Sequence, residues 1–593
     1  MRRGYAALFP IIIKKYKMKH LREKTKKIIA LYAPYLFVIL AIVLPWFFRP
    51  GYLFFTDSAW GPLIKFDWTS TWLVIKFLLH GLSFIIPADL LEKIFITAVL
   101  SLILFGGRSL VKNVLEYFKE NDSSDDNKSS EIPQSAPGLI FILSLFALFN
   151  PFVYDRALYG QFGVLISYGA LLFVLAYLLE TWRTLNFKKS YQAAIFTAIS
   201  LMFAVHFIFF LIPFYLLFFG GLFVRRREIK TAGQLKKLGR TLIISLFIIL
   251  FLNANWLIAL ALKVSPTLDF VEQGITNQDL IAFQTAGAND TEVFTNVLLM
   301  SGFWGKDQFR YFDLTDAPGW QRSFIFLALL IIYGVGLSFY KRHRVEKFFS
   351  VGLLLIFVLA VFLAVGIKTP LTRGLSLFLY DHLPFYKGLR ESQKWVAVIV
   401  PIYLFYLTVG VGRLKDFKLI KNKSYLSAIL LSAVIIMQAP SLLWGFGGQI
   451  RPTSYPADWH EVNELLLERS ANTGNCSDKV LFLPWHLYMS FNWTGKIVAN
   501  PAPQFFSCPT QAGTNMEWGG IYDNSQKPDS LAVSAWIRDR GVSGPPPVYD
   551  EKKFRYIILA KELDWRDYSW LSEQNYLNLI LETETLLFYE IKY

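Results

Sequence analysis

The sequence predicts a mainly α-helical protein, with a polytopic membrane domain of about eleven transmembrane helices and a small extracytoplasmic α/β domain after it. Three observations predict this class. Hydrophobic residues make up 54% of the 593 residues, and charged residues only 18%, a balance that a water-soluble core does not accommodate. Apolar runs of membrane-spanning length recur as far as residue 446. After that point, helix-like and strand-like segments alternate.

Each candidate span is an apolar run near the roughly 20 residues that a membrane helix needs. The run 192–223 is too long for one span, so we interpret it as two short helices that turn at His206. The run 28–48 is too long for a signal peptide, and we interpret it as a retained anchor. The candidate spans are 28–48, 90–110, 137–154, 162–181, 192–223, 241–262, 322–340, 347–367, 393–412 and 425–446.

Basic residues indicate how these spans are oriented. The formal net charge is +16, but Lys and Arg lie between the apolar runs rather than on one face, which excludes a nucleic-acid partner and fits the positive-inside rule. With a turn at His206, segment 1–27 is a basic cytoplasmic N-terminus and 28–446 is the transmembrane domain. Loop 49–89 and domain 447–593 then face outward. We expect a multi-pass protein of the plasma membrane, with the lipid bilayer as its first partner.

The C-terminal part reads as a soluble α/β domain. Strand-like segments and two amphipathic helices are predicted there from period and composition. Cys476 and Cys508 lie where oxidation can occur, so a disulfide between them is one reading, which the sequence alone leaves open. The predicted strands are 480–483, 496–499, 556–560 and 586–591, and the predicted helices are 458–469 and 528–540.

The long first outer loop, 49–89, carries the first candidate site residue. Asp57 stands among aromatic residues at the membrane surface, where a carboxylate in a partly dry site can act as a general base. The alternative is that Asp57 caps a helix and that Trp60 anchors the loop at the interface. Asp67 is a weaker candidate. The apolar stretch 71–86 is predicted to be an interfacial helix.

A short outer turn, 150–161, carries the second group. It brings Asp155, Arg156 and Gln161 close to the membrane surface, and a guanidinium can bind a phosphate through paired hydrogen bonds. The alternative is a local pair between Asp155 and Arg156 that ends a helix.

The third group precedes span 393–412. Arg390 and Lys394 are four residues apart, so a continuing helix places them on one face, where two cations suit a lipid phosphate; Glu391 lies beside them. The alternative for Lys394 is a snorkelling residue at the membrane surface. His206, at the predicted turn, would lie on the same side, unless it is only a packing residue.

These features together resemble the GT-C superfamily of membrane glycosyltransferases. Asp57 is similar in position to the acidic residue in the first outer loop of that superfamily, and Asp155 to an acidic residue in a later outer loop of some members. The strings NPFVYDRALYGQ (150–161) and LRESQKW (389–395) resemble those of prokaryotic members related to enzymes that glycosylate cell-envelope polymers or lipids. The sequence has no WWD-type motif and no clear DxD pair, which argues against transfer of N-glycans en bloc.

The resemblance implies a polyprenyl-phosphate-linked sugar donor and an extracytoplasmic glycan, lipid or protein acceptor. Asp57 would deprotonate the acceptor hydroxyl for inverting attack, with Asp155 as a second catalytic residue. A divalent cation, Mg²⁺ or Mn²⁺, could be held by Asp57 and Asp155. The residues expected to bind the donor phosphate are Arg156, Arg390 and Lys394. The residues expected to contact substrate are Gln161, His206, Glu391 and Trp60.

Two other classes of protein stay open. A transporter or flippase for lipid-linked saccharides would also need cations and aromatic residues near lipid headgroups, although transporters often carry ionisable groups at mid-membrane. A non-enzymatic envelope-assembly protein would use the outer domain as its working part. A cavity that gathers Asp57, Asp155, Arg156 and Arg390 at the membrane surface would favour the enzyme.

Overall fold

A computed structural model describes residues 5–65, 71–122, 137–226, 232–263, 275–308, 310–340, 344–414, 424–469, 476, 478–518, 521–523, 528–547 and 553–593. Asp67 lies outside these residues. The helices are α1 Tyr5–Phe47, α2 Leu73–Ser83, α3 Ala88–Asp122, α4 Pro137–Leu148, α5 Pro151–Leu158, α6 Phe162–Thr184, α7 Lys188–Phe203, α8 Ile208–Val224, α9 Ala232–Leu252, α10 Ala254–Ala261, α11 Asn277–Ala282, α12 Asp290–Leu298, α13 Trp320–Phe339, α14 Arg344–Val365, α15 Pro370–His382, α16 Val396–Leu414, α17 Ser424–Ile436, α18 Ala457–Arg469, α19 Ala502–Phe505 and α20 Pro528–Arg538.

The helical domain is a multi-pass membrane structure. Among the described residues, seven helices are long and apolar enough to cross a bilayer, and up to ten if each of three bent pairs forms one span. The bent pairs are α4 with α5, α9 with α10, and α17 with Pro440–Gly447, at angles of 51°, 73° and 77°. The upper count of ten is one below the predicted eleven, because α7, with 16 residues, is shorter than a full membrane span. The protein is therefore a multi-pass integral membrane protein, as the hydropathy predicts.

The chain reverses at Val205–Phe207, the predicted turn. The last residue of α7, Phe203, lies beside Gly163 at the start of α6. If Gly163 carried a Cβ atom, that atom would be 3.0 Å from the Phe203 carbonyl oxygen. Helix α8 runs back to the other end of α6, where the Arg225 guanidinium donates to the Trp182 carbonyl. Helices α7 and α8 therefore run in opposite directions, and the interpretation of 192–223 as a hairpin is confirmed.

The C-terminal domain contains a five-stranded sheet in the order β4-β1-β7-β9-β8. Strand β1 pairs in parallel with β4 and β7, and β9 is antiparallel to β7 and β8. All four predicted strands and both predicted helices are present, and a disulfide joins Cys476 to Cys508. The strands are β1 Lys479–Leu483, β2 Tyr488–Phe491, β3 Lys496–Ala499, β4 Thr510–Gln511, β5 Met516–Trp518, β6 Ile521–Asp523, β7 Phe554–Ala560, β8 Leu577–Glu582 and β9 Leu586–Ile591.

The first loop is fixed between the two domains. Phe54 is fully buried and packs its ring against Tyr455 and Trp493 of the C-terminal domain, with centroid distances of 5.3 and 5.0 Å. Backbone hydrogen bonds of 2.9 Å join Tyr52 and Thr453 in both directions. An aromatic pair adds to the energy of apolar burial, so these contacts hold the segment that leads into Asp57.

Helix α2 follows in the same loop and confirms the predicted helix in 71–86. Val74, Phe77 and Leu78 are exposed on it. An apolar surface of this kind suits the boundary between headgroups and acyl chains, which agrees with an interfacial position for the helix.

Candidate active site

Asp57 is held at the point where the first loop meets the turn between α5 and α6. Its backbone N–H donates to the Tyr159 carbonyl at 2.8 Å. Its Oδ2 accepts a hydrogen bond of 3.0 Å from Gln161 Nε2, and its Oδ1 accepts one of 2.8 Å from the Tyr488 hydroxyl. Each carboxylate oxygen has two acceptor positions, so both oxygens can still accept a proton from a substrate.

The segment 150–161, interpreted above as a short turn, contains a helix, α5. Asn150 caps it by accepting from Val153 N at 3.1 Å, and Pro151 occupies the first helical position. Both are signals of a helix start. The helix ends at Leu158, and Gly160 then directs Gln161 toward Asp57.

At Gly160 the first loop lies close against this turn. Its φ is +76°, and a Cβ there would lie 2.6 Å from Phe55 Cβ and 3.0 Å from Ser58 Cβ. Only glycine combines this backbone conformation with such an approach at low cost.

We therefore expect Gly160→Ala to lower the free energy of unfolding by about 2–4 kcal/mol, and to reduce activity by moving Asp57. The measurement is the thermal unfolding midpoint of the purified chain in lipid or detergent. Gly495→Ala is the matched control, because Gly495 also has a positive φ, +65°, but no atom lies within 4 Å of its added Cβ. Equal destabilisation by both variants would contradict the close approach.

Glu391 is the centre of a buried charge cluster, and only 6% of its surface is exposed. Its Oε2 accepts from Arg156 Nη1 and, at 2.9 Å, from Trp304 Nε1, while its Oε1 lies 3.1 Å from Lys394 Nζ. Lys394 is three residues after Glu391, and the intervening 3₁₀ helix, Ser392–Trp395, brings the two side chains to the same side because it has three residues per turn. Gln161 joins this cluster to Asp57, because it accepts from Arg156 through Oε1 and donates to Asp57 through Nε2.

The pKa values of the two acids of the site, Asp57 and Glu391, are shifted in opposite directions. Desolvation raises the pKa of Asp57, the Glu391 charge raises it further, and the hydrogen bonds from Gln161 and Tyr488 lower it only partly. Desolvation would also raise the pKa of Glu391, but the cations of Lys394, Arg156 and Arg390 outweigh it and hold that pKa well below its usual range. Such a separation is typical of sites where one carboxyl group exchanges protons and the other keeps its charge.

A cavity of about 530 Å³ lies over Asp57 and opens at the surface. Its lining combines aromatic rings with a few polar and charged groups, which is the usual composition of a ligand site. Six of the predicted site residues line it: Asp57, Trp60, Gln161, His206, Glu391 and Lys394. The aromatic lining comprises Trp60, Trp72, Phe95, Phe162 and Phe203.

Arg156 and Arg390, predicted to bind phosphate, do not line this cavity. Arg156 is 1% exposed and is occupied by Glu391 and Gln161, with its guanidinium carbon 4.5 Å from the centre of the Phe303 ring. Arg390 lies over the Phe283 ring at 5.1 Å. Lys394 is the predicted cation that the structure brings to the cavity surface.

Asp155 also lies elsewhere. It lines a separate small pocket with Lys306 and Asp313, because successive residues of a helix point about 100° apart and Arg156 already points toward Glu391. Asp57 and Asp155 thus line different pockets. Among the described residues, no group of three or more His, Cys, Asp or Glu side chains is arranged to hold a metal ion. The divalent-cation site at Asp57 and Asp155, with Mg²⁺ or Mn²⁺, stays a prediction.

The sequence reasoning missed several residues of the site. Tyr488 lies 431 residues from Asp57 along the chain, and Trp304 lies 87 residues from Glu391. Asn500 and Gln504 of the C-terminal domain line the cavity too. No local pattern marks these residues: Tyr488, Asn500 and Gln504 reach the site through the docking of the two domains, and Trp304 through a long-range contact within the helical domain.

The fold is similar to that of solved membrane glycosyltransferases. The arabinofuranosyltransferase AftD from Mycobacteria superposes with a TM-score of 0.52 at 13% identity, over 96% of this chain and 40% of that chain. A mutant of AftD gives a TM-score of 0.50 at 13% identity, over 96% and 42% of the two chains. The chain thus spans about two fifths of the length of AftD.

The oligosaccharyltransferase of Archaeoglobus fulgidus gives a TM-score of 0.43 at 12% identity, over 94% of this chain and 73% of that one. The sequence matches no described protein family and no curated protein. The structure therefore shares the fold of the arabinofuranosyltransferase AftD.

Proposed function

We propose that the protein is a membrane glycosyltransferase that moves a sugar from a polyprenyl-phosphate-linked donor to an extracytoplasmic glycan, lipid or protein, with inversion. One observation carries the proposal: Asp57, a carboxylate of raised pKa, shares a cavity with Lys394 and an aromatic wall. These are the groups that an acceptor hydroxyl, a phosphate and an isoprenoid chain require. The likeness to the fold of AftD supports the same class by analogy only.

The donor enters this scheme from the bilayer. Its isoprenoid chain packs against the aromatic residues that line the cavity. One of them, Trp72, directly precedes the interfacial helix α2. The phosphate of the donor faces Lys394 and His206. An ammonium in a site of low dielectric stabilises the charge that develops on a departing phosphate.

The transfer needs one base. Asp57 accepts the proton of the acceptor hydroxyl as that oxygen attacks the anomeric carbon. The bond between the anomeric carbon and the phosphate oxygen breaks, and its electron pair leaves with the polyprenyl phosphate. Attack from the side opposite to the phosphate inverts the anomeric configuration. The donor phosphate is already a good leaving group, so a second catalytic carboxyl group as general acid is unnecessary.

Arg156 and Gln161 act behind these groups as positioning residues. Arg156 holds Glu391 and the Gln161 carbonyl oxygen, which turns the Gln161 amide N–H toward Asp57. The amide thereby fixes one oxygen of the base. Glu391 balances the charge of Arg156 and Lys394 within the cluster.

The rate of transfer should fall with acid. The base works only when it is deprotonated, so kcat/KM rises with pH through the pKa of Asp57 and is lost below it. Because that pKa is raised, we expect the acidic limb above the range of an ordinary aspartate. The measurement is the pH dependence of transfer by the purified chain in lipid vesicles. Full activity down to the usual pKa of aspartate would contradict the assignment.

The class is tested with labelled donors. The purified chain in vesicles is supplied with polyprenyl-phosphate sugars, or with sugar nucleotides, together with membrane extracts that contain acceptors. We expect polyprenyl phosphate to be released and the label to move to an acceptor only with the lipid-linked donor. Transfer from sugar nucleotides, or no binding of any lipid-linked sugar, would contradict the proposal.

A further inference from the structure

The β2–β3 hairpin is a part of the C-terminal domain that contacts the first loop directly. Tyr488 and Ala499 are opposite one another in its register. The Tyr488 hydroxyl donates to Asp57 Oδ1 at 2.8 Å, and Ala499 N donates to the Thr56 carbonyl at 2.8 Å. One end of the hairpin therefore contacts two consecutive residues of the loop, and one of them is the candidate base.

The other end of the hairpin lies near helix α3. Lys496, opposite Phe491 in the hairpin, is partly buried, and the Glu92 carboxylate of α3 attracts its ammonium. Burial lowers the pKa of Lys496 to about 8, and this attraction opposes the shift. Glu92 Oε2 accepts from Leu53 N at 2.7 Å, four residues before Asp57. Glu92 thus binds the first loop directly and attracts the end of the hairpin electrostatically.

We propose that Tyr488 is a positioning residue for the general base, delivered by the C-terminal domain, so that the domain completes the active site of the membrane domain. This inference rests on the proposed function of Asp57.

The geometry explains why a second donor is needed. The terminal torsion of an aspartate is broad and roughly two-fold, so a carboxylate held by Gln161 alone can still rotate. A hydroxyl on the second oxygen fixes the carboxylate plane. Burial and the Asp57 charge hold the pKa of Tyr488 well above its usual value, so the hydroxyl keeps its proton and remains a donor.

Tyr488 does not line the cavity, unlike Asp57, Lys394 and Gln161. Its removal should therefore change the chemical step rather than substrate binding. A hydrogen bond to an ionised carboxylate favours the charged form. Its loss should move the titration of Asp57 to higher pH as well as misorient the base.

The test compares Tyr488→Phe with Tyr576→Phe in the full chain in lipid vesicles. Tyr576 belongs to the same domain, and its hydroxyl donates to the Gly541 carbonyl at 3.0 Å, so the control removes one tyrosine hydroxyl away from the site. For Tyr488→Phe we expect kcat on the alkaline plateau to fall on the order of tenfold, with KM unchanged and the acidic limb moved to higher pH. Tyr576→Phe should match the unmodified chain in kcat, KM and pH profile.

A second readout does not depend on turnover. Infrared difference spectra follow protonation of the Asp57 carboxyl group, which is identified by its loss in Asp57→Asn. We expect Tyr488→Phe to shift this titration upward and Tyr576→Phe to leave it in place. If the unmodified chain transfers sugar but Tyr488→Phe has the same kcat or an unshifted titration of Asp57, this inference alone is overturned. An unmodified chain with no transfer from any lipid-linked sugar overturns the proposed function and this role with it.

Discussion

Replacing Asp57 with Asn is expected to lower kcat of sugar transfer by about 10²- to 10⁴-fold, the usual contribution of a general base. The amide keeps the size of the side chain, its oxygen can accept from Gln161 Nε2, and its NH₂ group can donate to the Tyr488 hydroxyl oxygen. Folding and donor binding should therefore change little. The measurements are kcat, the donor Kd and the unfolding midpoint of the purified variant.

Asp155→Asn serves as the comparison. The sequence offers Asp155 as a second catalytic residue, whereas the structure places it in a different pocket, beside Lys306 and Asp313. We expect this variant to keep most of the activity. If Asp155→Asn lost as much activity as Asp57→Asn, Asp155 would have to be a residue of the active site. Near-normal turnover by Asp57→Asn would contradict the assignment of Asp57 as the base.

Replacing Glu391 with Gln is expected to give the largest loss of stability, about 3–5 kcal/mol, because removal of one partner leaves buried opposite charges uncompensated. Arg156 and Lys394 both pair with this carboxylate and are 1% and 8% exposed. The measurement is the unfolding midpoint at a pH where Glu391 is ionised. Because the pKa of Glu391 is depressed, any neutral pH meets this condition.

Glu590→Gln is the matched control for that experiment. Glu590 also lies near two cations, Arg469 and Arg555, at 3.6 and 3.8 Å, but its side chain is 26% exposed. Ion pairs in contact with water contribute about 1 kcal/mol or less. If Glu391→Gln destabilised the protein no more than Glu590→Gln, the buried cluster would not be the support that the structure indicates.

Much of the architecture could be predicted from the sequence because it depends on local pattern. Membrane spans follow from runs of apolar residues, and the turn at His206 follows from a run too long for one helix. The strands Lys479–Leu483 and Phe554–Ala560 follow from short apolar runs in a mixed composition. Asp57, Glu391 and Lys394 stand out because charged groups are rare beside apolar runs.

The rest depends on contacts that no local pattern contains. Neighbouring residues on α5 point to different sides, so the spacing could not show that Arg156 contacts Glu391 while Asp155 faces another pocket. Tyr488 reaches Asp57 only because the C-terminal domain docks on the first loop, across 431 residues of sequence. Arg390 is predicted to bind phosphate with Lys394, but its guanidinium lies over the Phe283 ring. The spacing of residues along the sequence does not predict this packing.

The most direct test of the account is an experimental structure of the full-length Asp57→Asn variant in lipid with a polyprenyl-phosphate sugar bound. We predict that the phosphate lies within hydrogen-bond reach of Lys394 and the isoprenoid chain along Trp72 and Phe203. The side chain at position 57 should face the anomeric carbon on the side opposite to the phosphate, as inversion requires. A donor bound outside this cavity, in a pathway that crosses the helical domain, would contradict the account and favour a transporter.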